Sequence, residues 1–244
     1  MASTARAMWV WVQESAPPDP AALAAHAAQQ RVTEAFVSVP WGGPTPATHQ
    51  CVAALRARGV RVSALGGDPS WTTGTDALTW MQRATAAFLF DGVHLDIEPW
   101  TRRDWPGREQ ELLAGLARTV KDVAARTSLP VEVDLSPWIA DAHPAAFAEV
   151  VRRADAVALM AYRDRAPDIL GLSATARQLI GQARKPYRIG VDTLPAAEPR
   201  ETFADDGRAV LERELAAVAG QLGGDARFAG VAVHDAASWM TLGA

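Results

Sequence analysis

Short runs of apolar, often β-branched residues alternate along the chain with longer amphipathic stretches that are rich in alanine and leucine. Runs of the first kind are typical of buried strands, whereas the longer stretches repeat their apolar positions with helical spacing. The runs predict eight strands, at Met8–Val12, Ala35–Trp41, Val60–Leu65, Gly92–Glu98, Val131–Leu135, Ala156–Tyr162, Arg188–Asp192 and Gly230–His234. The stretches between them predict seven helices, at Pro20–Arg31, Thr45–Arg58, Asp76–Ala87, Arg108–Thr127, Ala145–Ala154, Ser173–Lys185 and Gly207–Leu222.

The regular alternation of strands and helices indicates a parallel sheet. Eight strands close a (β/α)₈ barrel, and the 244 residues of the chain are close to the length of about 250 that is typical of that fold. We therefore predict an α/β protein with a single (β/α)₈ TIM-barrel domain over residues 1–244. Its eighth helix is expected to be short or absent, because only ten residues follow His234. The alternative, an open doubly wound sheet, would require a glycine-rich phosphate loop after the first strand, and the segment WVWVQESAPPDP contains none.

Composition narrows the classes of function. The 24 basic and 28 acidic residues give a net charge of -4, whereas a general nucleic-acid binder usually has the opposite balance. The single cysteine, Cys51, excludes a disulfide framework and a cysteine-rich zinc site, and it suits a reducing compartment. No run approaches the roughly 18 apolar residues of a membrane helix, and the apolar run near the N-terminus is too short for most signal peptides. We expect a cytoplasmic protein that acts on a small molecule, with no cofactor and no nucleic-acid or membrane partner; the oligomeric state is left open.

Polar residues interrupt the later strands at every second position. If the apolar set of each strand faces the helices, the alternate residues face the barrel interior. The inward set then contains His94, Asp96, Glu98, Glu132, Asp134, Tyr162, Asp192 and His234. Barrel interiors are normally filled by branched apolar side chains, and the active sites of this fold lie at the C-terminal ends of the strands. The convergence of acids there predicts an active site. Mixed imidazole and carboxylate ligands would also suit zinc, manganese or iron, but no tight motif such as HExxH is present, and no metal is predicted.

Tryptophan is unusually frequent, with nine residues against two tyrosines and six phenylalanines. Six of the nine lie at strand ends or in the loops that follow them, and we expect these to form a binding wall: Trp41, Trp71, Trp100, Trp105, Trp138 and Trp239. Indole faces stack on sugar rings and also attract cations. Trp9 and Trp11 share one face of the first strand and are expected to fill the barrel, whereas Trp80 is expected in a helical core.

Three segments carry a family resemblance. The stretch Phe90–Glu98, FDGVHLDIE, resembles the DGxDxDxE signature of glycoside hydrolase family 18, the chitinase-like barrels. Leu159–Asp164, LMAYRD, resembles the M-x-Y-D segment of that family, and Trp239 follows the last strand where the family places a tryptophan at the floor of the sugar site. The resemblance implies that Glu98 is the general acid/base, and that Asp96 and Tyr162 hold the substrate's acetamido group, whose oxygen attacks the anomeric carbon.

The sequence also departs from the family pattern. His94 stands where the family usually has Asp, and we expect it to be a neutral hydrogen-bonding spacer. Arg163 is interposed, so that Asp164 lies two residues after Tyr162 rather than one. The substrate-binding residues are expected to be His94, Asp134, Asp164, Asp192, His234, Trp41, Trp100, Trp138 and Trp239.

These departures leave three functions open. The first is a glycoside-hydrolase-like enzyme that acts on a small sugar conjugate, with or without an N-acetyl group. The second is a lyase, cyclase or isomerase of small-molecule metabolism that uses the same acids. The third is a lectin-like, non-catalytic sugar-binding barrel, against which the acid at Glu98 argues.

Overall fold

A computed structural model describes residues 4–243 of the chain, and its centre is a closed barrel of eight parallel strands. Neighbours in the barrel are neighbours in the sequence, and the first and last strands pair through Arg6 with Val231 and Met8 with Val233. The (β/α)₈ prediction is therefore confirmed. The strands are β1 Arg6–Val10, β2 Glu34–Ser38, β3 Arg61–Gly66, β4 Gly92–Leu95, β5 Val131–Leu135, β6 Ala156–Met160, β7 Tyr187–Asp192 and β8 Phe228–His234.

Ten α-helices occur within residues 4–243, and they cover all seven of the predicted helical regions. They are α1 Pro20–Gln29, α2 Pro46–Arg56, α3 Asp76–Thr85, α4 Glu109–Ala124, α5 Trp138–Ala142, α6 Pro144–Arg153, α7 Ala166–Leu172, α8 Ala174–Gln182, α9 Arg208–Leu222 and α10 Ala236–Thr241. Helix α10 is the short eighth helix that the sequence predicts. In the part of the chain that the structure describes, no helix is long and apolar enough to span a membrane.

Four strands end earlier than predicted. The predicted ends at Val12, Trp41, Glu98 and Tyr162 all lie two or more residues beyond the last strand residue, because the apolar and polar alternation continues after the ladder stops. The extra residues consequently belong to the mouth of the barrel.

Two apolar layers fill the molecule. The layer between strands and helices is large, and it takes the apolar strand residues Met8, Val93 and Leu135. The smaller inner layer lies inside the barrel and consists of Ala7, Trp9, Phe36, Leu65, Ala158 and Ala232. The predicted alternation of facing is correct, since the inner residues share their faces with the polar residues of the same strands. Trp9 fills the barrel and Trp80 is buried in the outer layer, both as expected.

Candidate active site

Asp96 and Glu98 leave the end of β4 on the face that looks into the barrel mouth. The backbone amide of Asp96 donates to the carbonyl of Gly66 at 3.0 Å, which ties the segment to the end of β3. The neighbouring Gly67 has no room for a side chain, because a Cβ there would lie 1.7 Å from the Asp96 carbonyl oxygen. Gly67 is thus a supporting residue that the sequence analysis missed; the adjacent pair Gly66-Gly67 was its only signal.

Both carboxyl groups have a raised pKa. Burial raises the pKa of Glu98, and the nearby Asp134 carboxylate raises it further, although a hydrogen bond from Trp100 Nε1 at 3.1 Å and the proximity of His234 act in the other direction. Burial also raises the pKa of Asp96 well above its usual value, with Asp134 and Glu98 adding to the effect. An acid that is still protonated near neutral pH can protonate a leaving group. The electrostatics therefore suit Glu98 to acid catalysis.

Tyr162 lies across the mouth from these acids, just beyond the end of β6. Burial raises the pKa of its phenol well above 10, and the carboxylates of Asp134 and Asp192 raise it further. The phenol consequently stays neutral and can donate a hydrogen bond. Its ring stacks on that of His234, with the centroids 6.0 Å apart and the planes 25° apart.

A chain of hydrogen bonds joins the ends of β7, β8 and β1 at the mouth. Asp192 Oδ1 lies 3.1 Å from His234 Nδ1 and also accepts from the Leu194 amide at 3.0 Å. The indole Nε1 of Trp11 donates to His234 Nε2 at 3.1 Å. The contact with Trp11 uses Nε2 as an acceptor, so it is made only by the neutral form of His234 with its proton on Nδ1. Burial lowers the pKa of His234, but the hydrogen bond and the charge of Asp192 outweigh burial and raise it, which favours the cation in competition with the Trp11 contact. The expectation that Trp11 fills the barrel is wrong, because its side chain is 36% exposed beyond the last residue of β1.

His94 and Asp134 form the floor beneath the mouth, and both are fully buried. His94 Nε2 lies 2.9 Å from Asp134 Oδ2, which also accepts from Trp9 Nε1 at 3.1 Å. Phe36 stacks on the imidazole with a centroid separation of 3.7 Å. Neither residue can touch a substrate, so the expectation that they bind it is wrong for both. The alternation of polar and apolar residues along β4 and β5 correctly predicts that both side chains face the barrel interior. It does not predict how far below the mouth they lie.

The carboxylates around His94 favour its cationic form over the neutral spacer that the sequence suggests. Burial alone lowers its pKa, but the Asp134 and Glu132 carboxylates outweigh burial and raise the pKa to about 9. The chain therefore places a positive charge where the family places a carboxylate. That charge partly offsets the influence of Asp134 on Asp96.

Alternating charges continue from His94 down the barrel. Glu132 Oε2 lies 3.6 Å from His94 Nδ1, and Glu132 Oε1 accepts from Arg188 Nε at 2.6 Å. Arg188 in turn donates to Glu34 at 2.9 Å. Burial would raise the pKa of Glu132, yet Arg188 and His94 lower it to about 2. Sequence reasoning missed Arg188, although it shares a strand face with Asp192. The name "axial ion chain" is used below for Glu34, Arg188, Glu132, His94 and Asp134.

Asp164 is directed to another part of the molecule. Its amide donates to the Arg200 carbonyl at 3.1 Å, and its carboxylate lies 3.8 Å from Arg165. The neighbouring Arg163 donates to Glu201 at 3.1 Å. These contacts belong to the loop after β7, and the structure does not join Asp164 to the acids at the mouth. The extra residue at Arg163 accounts for this displacement from the pattern of the family.

Tryptophans lie on two sides of the mouth. On the side of β2 and β3, the 45% exposed Trp41 contacts Trp71, and together with Trp11 they line a cleft of about 290 Å³. On the side of β4 and β5, the 37% exposed Trp138 makes edge-to-face contacts with Trp100 and Trp105. The structure therefore brings five of the six expected wall residues to the mouth, together with the unexpected Trp11.

Trp239 does not belong to this wall. It is fully buried in α10, where it packs edge-to-face on His26 of α1 with a centroid distance of 4.8 Å. The expectation that it binds substrate is wrong, because α10 turns its tryptophan into the layer between barrel and helices. Burial and the nearby Arg208 lower the pKa of His26 to about 4, which keeps this contact uncharged.

The described residues contain no group of three or more His, Cys, Asp or Glu side chains arranged to hold a metal ion. In the mouth, the imidazole of His234 is occupied by Asp192 and Trp11. The mouth thus combines two carboxyl groups of raised pKa, a neutral phenol and exposed indoles. Groups of this kind donate protons and hydrogen bonds to a polar molecule and stack on its apolar faces.

Solved structures share this architecture. A family 18 chitinase from Pseudoalteromonas aurantia is similar with a TM-score of 0.67 and 12% identity, over 98% of this chain and 98% of the chitinase. The spore cortex-lytic enzyme SleL of Bacillus megaterium is similar with a TM-score of 0.60 and 12% identity, over 98% of this chain and 73% of the enzyme. A family 18 chitinase from Crocus vernus is similar with a TM-score of 0.52 and 16% identity, over 98% of this chain and 94% of the chitinase. No protein-family model matches the sequence, and no curated protein is similar to it in sequence. The chain thus has the barrel fold of the family 18 chitinases, as the motif in its fourth strand predicts.

Proposed function

We propose that the protein is a glycosidase-like hydrolase of a small sugar conjugate and that Glu98 is its general acid. The observation that carries the proposal is the half-buried Glu98 at the C-terminal end of β4, whose pKa is raised by burial and by Asp134. Active sites of this fold lie at that end of the barrel. The cytoplasmic location expected from the sequence stays a prediction.

In the proposed reaction, the Glu98 carboxyl gives its proton to the glycosidic oxygen while the bond from that oxygen to the anomeric carbon breaks. Where the sugar carries an acetamido group, the oxygen of that group forms the new bond to the anomeric carbon, as the family resemblance implies. Asp96 and Tyr162 hold the acetamido group from opposite sides of the mouth, since the raised pKa of each favours the protonated form that donates a hydrogen bond. The Glu98 carboxylate then takes a proton from the water that opens the intermediate.

The floor supports this chemistry from below. The buried Asp134 carboxylate raises the pKa of both Asp96 and Glu98. Trp9 donates to Asp134 at 3.1 Å, and His94 Nε2 lies 2.9 Å from it. A buried charge that is held in this way can bias neighbouring groups without contacting the substrate.

The test compares two N-acetylglucosaminides that differ only in their leaving group. Methoxide leaves only when it is protonated, whereas 4-nitrophenolate leaves without help. We expect Glu98→Gln to lower kcat by about 10²- to 10⁴-fold for the methyl glycoside and by much less for the nitrophenyl glycoside. The exposed α4 residue Glu111 provides the matched control, and Glu111→Gln should leave both rates unchanged.

The proposal fails if Glu98→Gln retains full activity on the methyl glycoside. Binding of the glycosides without release of reducing ends, unaffected by Glu98→Gln, would instead identify a lectin-like protein. The measurement is the release of reducing ends, with the binding affinity obtained separately by calorimetry.

A second candidate is a lyase, cyclase or isomerase of a cationic or amine-bearing small molecule. The acidic mouth favours it, because the exposed indoles of Trp41 and Trp138 attract cations and Asp192 adds a further carboxyl group. Conversion of such an amine without the release of reducing ends would support this candidate.

A further inference from the structure

A second cavity, of about 590 Å³, opens beside the candidate active site. It lies between the segment after β1 and the short helix α10, and its volume is within the range of small-molecule sites. The apolar side chains that line it are Val10, Trp11, Leu23, Leu194, Ala236 and Met240. Two of these, Trp11 and Leu194, are each 36% exposed and belong to the few large apolar side chains that the fold leaves open to solvent.

Four polar residues line this cavity, namely Gln13, Asp19, Asp235 and Thr241, and the two aspartates among them cap helices. Asp19 caps α1 by accepting from the Ala21 amide at 2.9 Å. Asp235 caps α10 by accepting from the amide and hydroxyl of Ser238 at 2.9 and 2.8 Å. Neither Lys nor Arg lines the cavity. An anionic ligand would therefore meet two carboxylates and no cation, whereas an uncharged apolar group would meet apolar walls.

Trp11 stands between this cavity and the acidic mouth. The indole of Trp11 lines this cavity and also the cleft beside Trp41, and its Nε1 donates to His234. His234 in turn acts on the pKa of Glu98 and stacks on Tyr162. The cavity is thus linked to the proton donor through the side chains of Trp11 and His234.

We propose that this cavity binds an uncharged apolar leaving group, so that the natural substrate is a sugar joined to an aryl or branched-alkyl aglycone. The inference rests on the proposed function for the sugar part of the substrate. The binding of the apolar part depends only on the cavity itself. Nucleotide and phosphate leaving groups do not fit it, because nothing on its walls neutralises their charge.

The test measures the binding of two probes with the same rings, uncharged 2-naphthol and anionic 2-naphthoate, by calorimetry at pH 7. We expect 2-naphthol to bind the wild-type protein at least about tenfold more tightly than 2-naphthoate, which corresponds to about 1.4 kcal/mol. Leu194→Lys should reverse this order, since it removes an apolar wall and adds a cation. Phe88→Lys is the matched control, because Phe88 is 92% exposed and does not line the cavity.

The failure of this proposal can be distinguished from the failure of the proposed function. Glu98→Gln should leave 2-naphthol binding unchanged even if hydrolysis is lost. The cavity proposal is overturned if 2-naphthol does not bind, if 2-naphthoate binds equally well, or if Leu194→Lys has no more effect than Phe88→Lys. If hydrolysis occurs, the 2-naphthyl glycoside should have a lower KM than the methyl glycoside, and Leu194→Lys should abolish that difference.

Discussion

Replacing His94 by glutamine tests whether the floor of the site is held by a buried cation. The amide has a similar reach but cannot carry a charge. Burial lowers the pKa of His94, but Asp134 and Glu132 raise it to about 9 from the ordinary value of 6.5. A group whose pKa is raised on folding stabilises the folded state below its unfolded pKa, and that stabilisation is lost as the pH rises through its folded pKa.

The size of the effect follows from the two pKa values. Each tenfold increase in proton affinity contributes about 1.4 kcal/mol, so the protonation of His94 contributes roughly 3 kcal/mol below pH 6.5. We therefore expect the wild-type protein to lose about 3 kcal/mol of unfolding free energy through His94 between pH 6 and pH 9. His94→Gln lacks this contribution and should show a correspondingly flatter dependence on pH.

The assay is urea unfolding, followed by far-UV circular dichroism at half-unit intervals of pH for both proteins. All other titrating groups are common to the two chains, so the difference between the two pH profiles reports His94 together with the two carboxyl groups whose pKa it lowers, Glu132 and Asp96. The reasoning would be refuted if the unfolding free energies of the wild-type protein and His94→Gln changed in parallel with pH. If His94→Gln does not fold, the ring nitrogen shifts of wild-type His94 provide a second readout, and a titration midpoint below pH 7 would contradict the cationic assignment.

Two further predictions concern the groups that hold Glu98 in place. Asp134→Asn removes the carboxylate that raises the pKa of Glu98, so the alkaline limb of the kcat/KM profile should move to lower pH; an unchanged limb would exclude this influence. Gly67→Ala forces a Cβ against the Asp96 carbonyl oxygen and should cost about 2 kcal/mol or more of unfolding free energy. Gly224→Ala is the control, because Gly224 has free space around its Cα and no positive φ, and equal losses of stability in the two variants would show that the close approach to Asp96 is unimportant.

The barrel and the facing of its strands could be predicted because both depend on local periodicity. In β4 every second residue is apolar, and a strand with one face against helices has only one way to orient such a pattern. The same alternation correctly predicts that Asp96 and Glu98, two residues apart, face the same side at the mouth. The eighth helix could be predicted to be short from the few residues that remain after β8.

The wrong predictions concern how deep a side chain lies along the barrel axis. The alternation of inward and outward residues along a strand does not give this depth. Trp11 has the parity of Trp9 but lies beyond the last strand residue, so it reaches solvent instead of the interior. His94 and Glu98 share a face, yet one lies on the floor and the other at the mouth. The positive charge of His94 could not be predicted either, because it requires Glu132 and Asp134 to meet it across the barrel.

The axial ion chain limits how this protein can change in evolution. Aspartate at position 94, the residue usual in family 18, would bury a third carboxylate beside Glu132 and Asp134 and would remove the imidazole that lies between them. An unpaired charge of this kind is strongly unfavourable in a barrel interior. An acidic substitution of His94 is therefore expected to need a compensating change at Glu132 or Asp134.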